Sequence, residues 1–235
     1  MTNIGREPSV TARFSNQFKR ACEKMKLTDI TYELAGQDSK ANADAIFNAL
    51  NNFVLVEFKS FNDGVYTEEK KPRVYDLCHR LIKNKPMVSY HRKCHFIIWG
   101  ITKNGRLETE YTIYQDSICR KSVLINSTFL TEPELPNILD GNDLANEIAN
   151  VTVGLNLEEF LTYLQWLFSK TRSTLAQYSG AVSLIATSSD SFIDGREFKS
   201  FLEFKNWAQP TVSSMLNKIS IQKKKQVKTK RKKLQ

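Results

Sequence analysis

The stretch "ADAIFNALNNFVLVEFKS", residues 43–60, reads as two apolar strands joined by Asn51-Asn52, yet Asp44, Glu57 and Lys59 sit inside them. Asn tolerates the positive φ of a tight hairpin turn. A two-residue turn there sets Leu50 opposite Phe53 and Asp44 opposite Lys59. Strand side chains alternate between faces. One face then carries Ala43, Ala45, Phe47, Ala49, Val54, Val56 and Phe58, and belongs against a helix. The other carries Asp44, Ile46, Asn48, Leu50, Phe53, Leu55, Glu57 and Lys59. The three charges cluster at one end, with Glu57 diagonal to Asp44. A one-residue slip would turn them into the helix-facing side, so the apolar pattern selects the clustered register.

The elements around the hairpin follow from periodicity. Residues 9–26 place Val10, Phe14, Phe18, Ala21, Cys22 and Met25 on one helical face, after Pro8. "DITYEL" (29–34) is a short strand, and "FNDGVYTEEKKP" a long turn. Residues 73–83 read as a helix, 94–100 as a buried strand, and 107–115 as a strand after Asn104-Gly105. Further on, 155–170 is an amphipathic helix and 181–187 a strand. "SDSFIDGREFKSFLEFKNW" and "TVSSMLNKISI" read as helices. The expectation is an α/β (α+β) fold, a mixed sheet flanked by helices. Its core spans 1–125, a mainly helical extension packs on it over 126–220, and 221–235 is a disordered basic tail.

Two carboxylates and an ammonium at one sheet end suit metal-assisted phosphodiester hydrolysis. Hard oxygen ligands hold magnesium, which acts as Lewis acid and lowers the pKa of a bound water. A neighbouring lysine can orient or deprotonate that water and offset developing charge. Asp44, twelve intervening residues, then "EFK" on the strand "FVLVEFK" resembles the PD-(D/E)xK nuclease superfamily, the restriction-endonuclease-like fold. The resemblance covers roughly residues 9–100. It implies a metal-dependent nuclease, an endonuclease acting on DNA, holding Mg2+ or Mn2+. Asp44 and Glu57 would be the ligands, the Phe58 carbonyl would complete the shell, and Lys59 would activate water. Ala43 stands where the family name has proline. Some members add a glutamate from the first helix; Glu23 lies opposite its apolar stripe, and Glu33 has no support. Such nucleases serve phage-defence, restriction or mobile-element systems, often as a subunit. The bland reading of "EFK" is an exposed strand face. The second "LEFK", at 202–205, falls in a helical context and reads as solvated.

Charge supports a nucleic-acid partner. The net charge is +9, but the last thirteen residues hold eight Lys or Arg, Lys223, Lys224 and Lys225 among them, and the rest is near neutral with 26 basic and 25 acidic residues. Such a tail binds polyanions or merely solubilises. From Lys70 to Lys93 eight basic residues face one acid, Asp76; Lys70, Lys71, Arg73, Arg80, Lys83, Arg92 and Lys93 are candidate backbone contacts. Residues 122–169 hold seven acids and no Lys or Arg, the character of a solvated helical lobe or a protein-partner surface. Cutting both strands of DNA needs two active sites, hence a homodimer.

Other signals are weaker. His79, His91 and His95 lie near Cys78 and Cys94, but the spacing fits no familiar zinc finger; His79 or His91 against phosphate is the stronger reading. Tyr66 is an aromatic that could touch substrate, while Trp99, Trp166 and Trp207 fall in core patterns. There is no nucleotide-binding glycine loop and no nucleophile elbow. No apolar run spans a bilayer, and no signal peptide opens the sequence. Cys22, Cys78, Cys94 and Cys119 read as reduced buried thiols, consistent with a cytoplasmic protein. Two rival readings stand: a catalytically silent nucleic-acid-binding or assembly protein of the same fold, and an RNA-binding protein carried by its tail.

Overall fold

The computed structural model describes residues 6–34, 41–71, 73–169, 184–190 and 192–232, with side chains as far as 217. Helix α1 (Arg6–Met25) leads into a meander of β1 (Asp29–Leu34), β2 (Ala45–Ala49) and β3 (Asn52–Lys59). A 3-10 segment (Asn62–Lys70), α2 (Val74–Lys83) and α3 (Lys85–Cys94) then carry the chain to β4 (His95–Lys103). β5 (Arg106–Ile113), the short α4 (Tyr114–Ile118), β6 (Leu139–Asp140), α5 (Gly141–Ala149) and α6 (Leu157–Phe168) follow. β7 (Leu184–Ser188), β8 (Arg196–Phe198) and α7 (Phe201–Lys232) complete the chain.

All eight strands join one mixed sheet in the order β6-β5-β4-β3-β2-β1-β7-β8. Only β3 and β4 run parallel. A parallel neighbour needs a crossover, and the 3-10 segment with α2 and α3 supplies it. Residues 126–220 do not stand apart from the core: they contribute β6 to one edge, β7 and β8 to the other, and helices to both faces.

Each face of the sheet is covered, which is why β2 and β3 are buried along their whole length. α1 presents Val10, Phe14, Phe18, Ala21 and Cys22, spaced by three and four residues, to Ala45, Phe47, Val54, Val56 and Phe58. Phe14 meets the Phe47 ring edge-on at 5.0 Å. α5 joins this layer through Leu144, Ala145 and Ile148. The opposite face, with Ile46, Phe53 and Leu55, packs against α2, α6 and α7. The predicted partition of the hairpin therefore holds, except that Ala43 lies on the second face. The acids of 122–169 do not form one lobe: Asp143 and Glu147 are on α5, Glu158 and Glu159 on α6, Asp140 on β6, and Glu132 and Glu134 in the loop before it.

Several expectations need correction. The hairpin turns at Leu50-Asn51, closing on the pair Ala49 and Asn52. Leu50 adopts φ +58°. Side chains decide this register. Asn48 Nδ2 donates to the carbonyls of Leu50 and Asn52, Asn51 Oδ1 accepts from the Leu157 amide, and Asn52 Nδ2 donates to the Ile148 carbonyl. The pairing moves by two residues, so the faces keep their composition and Asp44 lies across from Glu57 instead of Lys59. Residues 85–94 form a further helix, α3, whose N-cap Asn84 accepts from the Met87 amide and which takes Cys94 from the expected strand 94–100. Residues 196–198 form a strand where a helix was expected. The backbone of α7 continues to Lys232, into the tail expected to be disordered. Cys78 and Cys119 form a disulfide between α2 and the end of α4, so only Cys22 and Cys94 are free thiols. The reduced-thiol argument for a cytoplasmic location is lost with it. Of the strand expected at 181–187, residues 181–183 lie outside the described residues. No helix among the described residues is long and apolar enough to cross a membrane.

Candidate active site

The charged end of β3 is the most polar part of an otherwise apolar interior. Glu57 is 1% exposed and Lys59 7% exposed. Alternation along β3 puts both on one face. The Asp44 amide donates to the Val56 carbonyl, which seats Asp44 just before β2, across from Glu57. Its carboxylate Oδ2 accepts from the Phe58 amide at 2.6 Å. The N–H and C=O of one strand residue leave on the same side. The Phe58 carbonyl is therefore turned toward Asp44, as a shared ligand shell requires.

Sequence reasoning missed Glu68, which is fully buried at the end of the 3-10 segment. Its Oε1 lies 2.8 Å from Lys59 Nζ and 3.1 Å from Lys71 Nζ. Its Oε2 accepts from the Tyr114 hydroxyl. Lys71 Nζ is also 2.6 Å from Glu57 Oε1, which Lys59 contacts as well. Two ammoniums thus bridge the same pair of glutamates. Glu57 Oε2 is buried without a partner in the structure.

Burial dominates the electrostatics. It pushes the Asp44 carboxyl up to about 6, against the Phe58 amide and the two lysines, with Glu7 of α1 adding to the rise. It pushes Glu57 up to about 8, reinforced by the charges of Asp44 and Glu68. Burial also opposes the charge on Lys59, but Glu57 and Glu68 outweigh it and raise its pKa. For Glu68 burial is outweighed by Lys71 and Lys59, and its pKa falls. Lys59 and Glu68 are thus favoured in their charged forms, each by the charge of the other, while burial works against the charge on Glu57. Glu7 is the first-helix acid whose charge reaches Asp44; Glu23 is exposed and Glu33 is exposed on β1.

A second polar network lies behind this cluster. Tyr114, which holds Glu68, stacks on the His95 ring at 4.6 Å. His95 Nε2 faces the Asn42 carbonyl at 2.9 Å, and a carbonyl only accepts, so that nitrogen carries the proton. His95 Nδ1 then accepts from the Tyr163 hydroxyl at 2.9 Å. The Tyr163 oxygen in turn receives a proton from His91 Nδ1 at 2.7 Å, leaving His91 Nε2 buried and bare. Burial drives His95 down to about 4 and His91 well below its usual value. Both rings are neutral parts of the core. His91 cannot meet phosphate from there, and His79 packs on Phe129.

The structure disperses the basic stretch. Lys71 belongs to the cluster just described. Arg73 is buried and donates to the Leu167 and Phe168 carbonyls, and Arg80 donates to the Trp166 carbonyl and covers the Trp166 ring. Both guanidiniums satisfy the last carbonyls of α6. Arg92 pairs with Asp116. Lys70, Lys83 and Lys93 are exposed, as is Tyr66. Lys223, Lys224 and Lys225 lie where no side chain is described.

Asp44 and Glu57 carry hard oxygen donors of the kind a divalent cation takes. The charge of Asp44 acts on Glu57, and Glu57 Oε2 is a buried oxygen lacking a partner. Among the described residues no three His, Cys, Asp or Glu side chains converge on one metal position. The third carboxylate, Glu68, is turned to the two lysines. Compared with family models, curated proteins and solved structures, the chain matches none.

Proposed function

We propose that the chain is a metal-dependent nuclease with a restriction-endonuclease-like core, acting on DNA in the cytoplasm with Mg2+ or Mn2+. The observation that carries this reading is the gathering of Asp44, held by the Phe58 amide, beside the paired Glu57 and Lys59 at the end of β3. The chain order around them supports it: a helix, a three-strand meander, a helical crossover and a parallel fourth strand. The resemblance on "EFK" implies a helix before these residues and a helix and a strand after them, and this order contains all three.

In this mechanism Asp44, Glu57 and the Phe58 carbonyl would hold the metal. When bound, the metal supplies Lewis acidity toward the phosphate and a water of lowered pKa. The chain's own groups do the rest. The Phe58 amide fixes the Asp44 carboxylate by one hydrogen bond. Glu57 would serve as a ligand in its carboxylate form. Lys59, held charged by Glu57 and Glu68, offsets charge developing on the phosphate and orients the attacking water. Glu68 and Tyr114 fix the lysine's position.

A second reading, a catalytically silent binding protein, draws on the ion pairs: Glu57 and Glu68 are already neutralised by Lys59 and Lys71. The test is a panel of plasmid, linear duplex, single-stranded DNA and RNA incubated with Mg2+ or Mn2+. A nuclease cleaves at least one DNA substrate, and Asp44→Asn abolishes cleavage while binding persists. Binding without cleavage across the panel and both metals supports the silent reading.

A further inference from the structure

Lys71 and Lys59 contact the same two carboxylate oxygens, yet they are held differently. Lys59 ends β3, and the backbone register pins it beside Trp99 of β4. Its stem is walled in: a Cβ at Gly64 would come 3.1 Å from Lys59 Cβ and 3.2 Å from Cδ. Lys71 follows the 3-10 segment on an extended backbone, and its side chain is 16% exposed against 9% for Lys59. It reaches inward from the rim of the cluster. Its ammonium bridges Glu57 Oε1 at 2.6 Å and Glu68 Oε1 at 3.1 Å, two oxygens a cation between these glutamates would use.

We infer that Lys71 is an internal cation that competes with the divalent metal for Glu57 and Glu68, and that it is released to a nucleic-acid phosphate when the metal binds. The inference rests on the metal-site reading above and adds its regulation. These oxygens already serve two ammoniums, and a divalent cation added among them would be repelled strongly unless one ammonium leaves, because like charges a few ångströms apart in a poorly solvated site repel. Lys59 cannot leave without disturbing β3, so Lys71 is the group that yields. Its displaced ammonium arrives at the surface beside the exposed Lys70, where a phosphodiester offers it a new counter-ion. Metal and nucleic-acid backbone therefore enter the site together, each easing the entry of the other. Glu68 is released from one lysine in the same step and becomes available as a third carboxylate.

The test is calorimetric titration of the full chain with MnCl2, comparing wild type, Lys71→Met and Lys71→Arg. Lys71→Met removes the competing charge and keeps the stem, so Mn2+ should bind roughly tenfold tighter, within the usual range of coupling between sites. Lys71→Arg should stay within about twofold of wild type by the same reasoning. A second measurement needs no variant: acetylation of lysines in the wild type, read by mass spectrometry. Mn2+ should raise the reactivity of Lys71 several-fold and leave Lys59 protected. Unchanged or weaker Mn2+ binding by Lys71→Met, or an unaltered Lys71 reactivity on Mn2+ binding, overturns the role of Lys71 and leaves the metal site standing. Absence of Mn2+ binding in every protein overturns both.

Discussion

Replacing Glu68 with Ala perturbs the cluster at the residue that holds it together. Glu68 is fully buried and receives Lys59, Lys71 and the Tyr114 hydroxyl. Breaking a buried ion pair by removing one partner costs about 3–5 kcal/mol, and a stranded hydroxyl about 1–3 kcal/mol more. An offset comes from Glu57. Its carboxyl is held up partly by the charge of Glu68, so without Glu68 it ionises more readily and can serve both lysines. The expected net loss is about 3 kcal/mol, or a fall in Tm of about 6–12 °C for a chain of this size. Glu68→Gln keeps an acceptor for Tyr114 and removes only the charge, so it should cost about half as much. Urea unfolding at pH 7.5, followed by circular dichroism, measures both. A loss below about 1 kcal/mol for Glu68→Ala would refute the reasoning, since it would mean that the lysines do not depend on this carboxylate.

Four more outcomes are expected. His95 is neutral when folded, with its pKa near 4, and binds a proton in the unfolded chain near 6.5, so its contribution to stability is lost as pH falls from about 6.5 to 4. That is about 3 kcal/mol; Asp44 and Glu57 act with the opposite sign, so the readout is the difference in acid denaturation between wild type and His95→Gln. Arg73→Met should lower stability by about 2 kcal/mol through the lost bonds to Leu167 and Phe168, without changing the salt dependence of nucleic-acid binding. Lys70→Ala should do the reverse, flattening the slope of log affinity against log salt by about one. Gly141→Ala puts a Cβ 2.0 Å from Thr109 Oγ1, so chemical unfolding should report a loss of about 2 kcal/mol as β5 and α5 are pushed apart.

The two faces of the hairpin were legible because alternation is a backbone property: Val54, Val56 and Phe58 must share a side, and Phe47 joins them for any turn with an even number of residues. The turn itself was not legible. It is settled by Asn51 and Asn52 reaching Leu157 and Ile148, partners about a hundred residues away that no local rule connects. Glu68 was hidden in the charged run "EEKK", which ordinarily marks a solvated surface. Its burial comes from the 3-10 segment folding over the end of β3, a tertiary event. Arg73 and Arg80 looked like phosphate contacts for the same reason; the carbonyl end of α6 claims them first. The Cys78–Cys119 pairing joins positions 41 apart, and spacing alone does not reveal such a pair. The α3 start was readable in "NKP", since Asn84 caps it and Pro86 sits in its first turn.

The most direct test of the central claim is cleavage of supercoiled plasmid by the full chain with Mg2+ or Mn2+, set beside Lys59→Met under the same conditions. The account predicts metal-dependent nicking by the wild type and its loss in Lys59→Met, with DNA binding and folding retained. Equal cleavage by both proteins, or none by a wild type that binds both DNA and Mn2+, would contradict it.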